Sequence, residues 1–167
     1  MPGGGVYGIV ATVLPSHGMF TFTVAIGIHG APQPVFMTEN VTARLSPDQS
    51  CDEVEILADP QLVRAFYHLI DNSLRHGEKV SGIQIHCSVE NNLLTIVYED
   101  DGIGIPDRIR PVLFERGKGK NAGYGMFLVR EILAATGIII AEKGMAGKGA
   151  RFEIIVPSGS FRMTGRR

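Results

Sequence analysis

The stretch Leu93-Leu94-Thr95-Ile96-Val97-Tyr98-Glu99-Asp100-Asp101-Gly102-Ile103-Gly104-Ile105-Pro106 begins as a strand and ends as a turn. Leu94, Ile96 and Tyr98 alternate as residues on one face of a strand do. The alternation stops at two aspartates, and glycines stand two and four residues after Asp100. A carboxylate at a strand end can accept a hydrogen bond from an exocyclic amine, and glycines beside it let backbone approach a flat ligand. An ordinary Asp-Gly turn accounts for the same string, so its neighbours have to decide.

Upstream, Ile83, Ile85, Cys87 and Val89 also alternate, and Glu90-Asn91-Asn92 separates the two runs, which predicts a β-hairpin. Before that hairpin the period changes. Asp59 is a suitable N-cap, Pro60 suits a first helical position, and Leu62, Phe66, Leu69, Ile70 and Ser73 follow at helical spacing to an end near Gly77. His68, Asn72, Arg75 and His76 fall at i, i+4, i+7 and i+8 and so share a second, polar face. A solvated face is one reading. The other is a ligand face, because an Asn carbonyl oxygen is a hard donor suited to Mg2+ and an Arg one turn on can reach a phosphate.

Downstream, Arg116–Gly125 is basic and glycine-rich and opens onto a predicted helix over Met126–Thr136. Free amides and the helix dipole can meet a phosphate chain there, with Lys118 and Lys120 adding charge. The spacing is not that of a Walker loop and no dinucleotide-binding βαβ unit follows, so a plain surface loop also fits. Ile138–Ala141 and Phe152–Val156 read as strands around a Gly144–Gly149 turn. Before residue 58 the signals are weaker: Phe20, Phe22, Val24 and Ile26 suggest a strand and Gly30–Pro34 a loop. Hairpins mixed with helices indicate an α+β fold, not a doubly wound parallel sheet.

Four motifs in this order resemble the GHKL superfamily of histidine kinases, type II topoisomerases, heat-shock chaperones and mismatch-repair ATPases. His68–Gly77 looks like its N-box and Asp100–Ile105 its first glycine box. Phe114 within Leu113–Gly117 resembles its F-box, while Gly123–Met126 and Gly147–Phe152 resemble its later glycine boxes. The resemblance implies a two-layer α/β sandwich of the Bergerat type, a mixed, mainly antiparallel sheet packed on helices, with ATP and Mg2+ held under a lid at about Glu115–Gly123. By it, Asn72 coordinates Mg2+, Arg75 touches phosphate, Asp100 reads the adenine amino group, and Gly102 and Gly104 admit the base. His76, Ile105, Phe114, Lys118, Lys120, Gly123, Tyr124, Gly125, Met126 and Ala150 complete the expected ATP-binding set. Asn121 stands where the family usually has glycine, and Ala150 where it usually has threonine.

The N-box decides the branch. Hydrolytic members carry a glutamate there that activates water, whereas here no Glu occurs from Gln61 to Gly77 and His68 precedes Asn72 by one turn. Phosphotransfer is therefore expected over hydrolysis, with His68 and Asn72 as candidate catalytic residues. None of the five histidines sits in the context of a phosphoacceptor followed by an acidic residue. The expected partners are accordingly a histidine-bearing dimerisation domain, in cis or in trans, and a response regulator of a two-component system. A nucleotide-binding module without catalysis and an anti-sigma-factor-type protein kinase are the alternatives. The latter carries an N-box Glu that this chain lacks.

Bulk properties agree with a cytoplasmic signalling domain, alone or as the cytoplasmic part of a membrane-bound sensor. The 167 residues suit one domain, with residues 58–157 as the ATP-binding core, 1–57 as strands packing on it and 158–167 as a basic tail. With 16 Lys+Arg against 17 Asp+Glu the chain lacks the basic footprint of a nucleic-acid binder. The apolar runs Val6–Leu14 and Met19–Ile28 are shorter than the roughly 20 residues that span a bilayer. Residues 1–5 lack the basic region of a secretory signal. Cys51 and Cys87 fall in no paired motif, so two reduced cysteines are expected.

Overall fold

The computed structural model describes residues 10–16, 19–25, 35–38, 41–47, 54–58, 61–118 and 123–163. Five strands come first: β1 (Val10–Ser16), β2 (Met19–Ala25), β3 (Val35–Thr38), β4 (Val41–Pro47) and β5 (Val54–Leu57). Helix α1 (Leu62–His76), β6 (Gly82–Glu90), β7 (Leu93–Asp100), a 3-10 turn (Arg110–Val112) and α2 (Gly125–Ala134) follow. The chain closes with β8 (Ile139–Glu142), β9 (Arg151–Val156) and β10 (Phe161–Met163).

The main sheet has the order β3-β4-β6-β7-β9-β8. Its pairs are antiparallel apart from β4 with β6, so it is mixed and mainly antiparallel as expected. The alternation along the strands decides which face is covered. Ile83, Ile85 and Cys87 of β6, Leu94, Ile96 and Tyr98 of β7, and Phe152, Ile154 and Val156 of β9 all point into one core. Leu62, Phe66, Leu69 and Ile70 of α1 and Met126, Val129 and Leu133 of α2 close that core from the helical side. The result is a two-layer α+β sandwich. Its centre holds Tyr98 opposite Phe152, ring centroids 6.1 Å apart, the kind of cross-strand aromatic pair that stabilises a sheet.

The β6–β7 hairpin turns on Asn91 and Asn92, both left-handed at φ 51° and 59°. Asparagine tolerates that region, and two such residues match the twist of the flanking strands. Helix α1 begins at Leu62, later than the expected Pro60; Asp59 and Pro60 lie outside the described residues. Gln61 is the N-cap, with no side-chain cap bond, and its carbonyl accepts from the Arg64 and Ala65 amides. The helix stops at Gly77, whose amide donates to the Ser73 carbonyl at 2.8 Å.

A second sheet, β1-β2-β5-β10, joins the two ends of the chain. Phe161 of β10 pairs with Ile56 of β5, and Phe22 of β2 pairs with Ile56 from the other side. The stretch read as a basic tail thus opens with a strand. The predicted strand at Phe20–Ile26 is β2, ending at Ala25, while the loop at Gly30–Pro34 lies outside the described residues.

The expectation of two reduced cysteines is corrected, since Cys87 is disulfide-bonded. Spacing along the chain was a poor guide, since it carries no information on which side chains the fold brings together. Cys51 lies outside the described residues. No helix among the described residues is long and apolar enough to cross a membrane.

Candidate functional site

Helix α1 presents two faces, as its two periods require. Leu69, Ile70 and Leu74 enter the core, while His68, Asp71, Asn72, Arg75 and His76 form one wall of a cleft of ≈ 330 Å3. The loop after β7 supplies Ile103, Gly104 and Ile105 to the opposite side. Gly123, Tyr124, Gly125 and Met126, leading into α2, bring the start of that helix to the same cleft. Helix N-termini carry unpaired amides and partial positive charge, so this end is suited to an anion.

Behind the loop lies a buried polar network. The Asp100 carboxylate, 7% exposed, accepts from the Gly102 amide at 3.0 Å and the Ala150 amide at 2.9 Å through Oδ1. Oδ2 accepts from Ser73 Oγ at 2.6 Å, and Ser73 Oγ shares a 2.9 Å hydrogen bond with the Tyr98 hydroxyl. Burial pushes the Tyr98 hydroxyl far above its ordinary value, despite the Ser73 bond, so it keeps its proton. A carboxylate offers about four acceptor positions, which leaves Asp100 capacity for one more donor.

The glycines act here chiefly through the backbone they admit. A side chain at Gly102 would begin 2.6 Å from the Gly77 carbonyl oxygen, so the loop is seated on the end of α1. At Gly149, with φ +97°, it would begin 1.9 Å from the Asp100 carbonyl oxygen. The last glycine turn is thereby pressed directly against the residue it supports.

A half-buried arginine paired with a buried carboxylate ties the two turns together. Arg110 Nε lies 2.7 Å from Glu142 Oε2, a carboxylate only 1% exposed. Arg110 also donates to the Gly144 carbonyl at 2.7 Å, and Glu142 Oε1 accepts from the Gly144 amide at 2.8 Å, so the peptide groups on both sides of Gly144 are held. Arg110→Met, which leaves Glu142 buried without its cation, is expected to cost about 3 kcal/mol of stability in urea denaturation. The double variant Arg110→Met/Glu142→Val is expected to recover only part of that loss, because it removes the unpaired buried carboxylate but leaves the Gly144 amide and carbonyl without their partners.

The expected site residues divide by position. Asn72, Arg75, His76, His68, Gly104, Ile105, Gly123, Tyr124, Gly125 and Met126 all border the cleft. Asp100 and Ala150 do not; they border a more open depression of ≈ 980 Å3 shared with Gly82, Gln84, Lys143 and Lys148. Gly102 also stays off the cleft wall, and Phe114 packs its ring edge-on to Phe152, 6.4 Å away, leaving Leu113 to line the cleft. Arg75, expected to face phosphate, donates from Nε to Asp71 at 2.7 Å. Lys118 is exposed and Lys120 lies outside the described residues. Gly117 and Gly123, at φ +74° and +62°, bracket the segment expected as a lid, and Arg116 stacks over the Tyr124 ring at 5.5 Å. Burial and the nearby Arg64 cation lower the His68 pKa, against the pull of Asp71.

Sequence reasoning missed Asp71, Ile103, Pro106, Arg108 and Ile109 on the cleft wall, and Ser73 and Tyr98 behind Asp100. A signal for the last two was present, since Ser73 is the polar member of an apolar helical stripe and Tyr98 the polar member of an apolar strand face.

A two-layer sandwich with a polar helix face, a glycine loop and a helix N-terminus around one cleft defines a nucleotide-binding domain of the ATPase type. The family of histidine kinase-, DNA gyrase B- and HSP90-like ATPases matches residues 58–160, and the chain belongs to it. It is 34% identical over 103 residues to the alginate biosynthesis sensor protein KinB of Pseudomonas aeruginosa, covering 58% of this chain and 17% of that one. It is 28% identical over 117 residues to the sensor histidine kinase CusS of Escherichia coli K12, covering 64% and 24%. Among solved structures, the ATP binding domain of PrrB from Mycobacterium tuberculosis superimposes with a TM-score of 0.58 at 26% identity, covering 70% of this chain and 80% of that one. Full-length ShkA in complex with AMPPNP gives 0.61 at 23% identity, covering 73% and 26%. The chain thus spans no more than a quarter of the length of these two curated relatives.

Proposed function

We propose that the chain is the ATP-binding catalytic domain of a sensor histidine kinase. It transfers the γ-phosphoryl group of ATP to a histidine on a dimerisation domain, from which a response regulator is served in two-component signalling in the cytoplasm. The observation that carries the reading is the convergence on one cleft of Asn72, Arg75 and His76 from α1, the Ile103–Ile105 loop, and the Gly123–Met126 entry to α2. The phosphates belong at the start of α2, where amides and dipole favour negative charge. The adenine belongs at the Ile103–Ile105 end of the cleft, and the reading assigns its amino group to the remaining acceptor position of Asp100, which lies behind that loop and off the cleft wall. Tyr124 and Gly125 shape the entrance, and Lys118 and Lys120 add charge from the lid.

Mg2+ fits the donor chemistry on α1, where the half-buried Asn72 offers an amide oxygen on the cleft wall. Asn72 would hold the ion on this wall, where it would supply charge compensation for the phosphates of ATP. Transfer is favoured over hydrolysis because the carboxylate in this wall, Asp71, is engaged by Arg75. A water molecule therefore has no free carboxylate base on α1 among the described residues.

The test has two stages. Calorimetric titration with Mg·ATP is expected to show binding, and its absence at millimolar nucleotide would refute the assignment. Transfer from γ-labelled ATP to a supplied dimerisation domain is expected to give a product stable in base and labile in acid. Binding without transfer to any such domain supports a non-catalytic nucleotide-binding module instead.

A further inference from the structure

One group in the cleft remains unused by phosphotransfer as described, the imidazole of His68. Its Nε2 is buried and has no hydrogen-bond partner, although the ring borders the cleft. The ring lies against the entry to α2, with Nδ1 3.8 Å from the point where a side chain at Gly125 would begin. Asn72 stands one turn further along the same face of α1, and side chains four residues apart on a helix are neighbours. A ring nitrogen, an amide oxygen and the positive end of α2 are therefore gathered at one place.

Burial and the Arg64 cation lower the ring's pKa and so disfavour the imidazolium, and a neutral imidazole has one nitrogen with a lone pair. In the tautomer that carries its proton on Nδ1, the buried Nε2 is a desolvated acceptor, and a cation satisfies it without needing a proton. Mg2+ is a poor match for such a nitrogen, since it prefers oxygen donors and retains water, whereas transition ions accept imidazole together with oxygen.

Resting on the nucleotide-binding reading above, we propose that His68 Nε2 and Asn72 Oδ1 together hold the divalent cation of the bound nucleotide. This mixed donor set favours nitrogen-accepting ions such as Mn2+ over Mg2+. His68 is then a metal ligand that adds to the oxygen donor of Asn72 and sets which ion accompanies ATP.

The decisive measurement is electron spin-echo modulation of Mn2+ with a non-hydrolysable ATP analogue bound to the whole chain. A directly bonded 14N coupling is expected in the wild type, replaced by a 15N signature when histidine alone is 15N-labelled, and lost in His68→Asn. Titration is expected to give a nucleotide Kd at least 10-fold lower with Mn2+ than with Mg2+ in the wild type, with the ratio falling near one in the variant. Nucleotide binding with Mn2+ but without a histidine-derived coupling overturns the proposal and leaves ATP binding standing. The labelled wild type settles this even if His68→Asn folds poorly. Absence of nucleotide binding with either ion overturns the underlying reading as well.

Discussion

Asp100→Asn is expected to lower ATP affinity about 100-fold, or about 2.7 kcal/mol, while costing only about 1 kcal/mol of folding stability. The asymmetry follows from the network behind the cleft. Asparagine keeps an Oδ1 to accept from the Gly102 and Ala150 amides, now at 3.0 and 2.9 Å. Its amide nitrogen then takes the place of Oδ2, and Ser73 Oγ, 2.6 Å from that oxygen, can rotate to accept instead of donate. What cannot be repaired, on the proposed reading, is the acceptor assigned to the base, where a donor would meet the adenine amino group. Calorimetric titration with ATP and thermal melting of the same preparation separate the two effects. Equal ATP affinity in variant and wild type would remove Asp100 from the adenine-binding role.

Gly149→Ala is the second large effect, expected to destabilise the fold by about 4 kcal/mol and to abolish nucleotide binding with it. Two costs add. The residue sits at φ +97°, a conformation that residues with a side chain rarely adopt, and the new methyl group would begin 1.9 Å from the Asp100 carbonyl oxygen. Relief requires the turn to move away from β7, which breaks the 3.0 Å bond from the Asp100 amide to the Ala150 carbonyl and the Ala150 bond to the carboxylate. Gly147→Ala is the informative control. It has a similar φ of +85° but nothing within 4 Å, so only the conformational cost of roughly 1–2 kcal/mol applies. Urea denaturation of the two variants side by side measures the clash alone.

Much of the architecture was legible because period and punctuation agreed along the second half of the chain. The alternations in β6, β7 and β9, the Asn91-Asn92 turn and the stop of α1 at Gly77 are local, and local chemistry determines them. Motifs lying on contiguous loops were legible for the same reason. Pairings between distant residues were not: Arg110 with Glu142, and Ser73 with Tyr98 and Asp100, are made by the fold. Ser73 nevertheless carried a clue, because a hydroxyl on an apolar stripe needs a buried partner. The glycines show the other limit. A sequence records that a side chain is missing, but Gly102 and Gly149 give up their space to protein backbone, information that exists only in three dimensions. Cys87 is a similar case, since cysteine spacing in the sequence did not reveal its disulfide.

The second sheet has a mechanical consequence. Strand β5, which leads into α1, is held on one side by β2 and on the other by β10. Tension along the chain entering the cleft helix is therefore carried in shear by two rows of hydrogen bonds loaded together, not unzipped one at a time. Such a joint resists extension more than a single pairing would, so the residues after the nucleotide-binding core, though far from β5 in sequence, brace the strand that precedes the cleft helix.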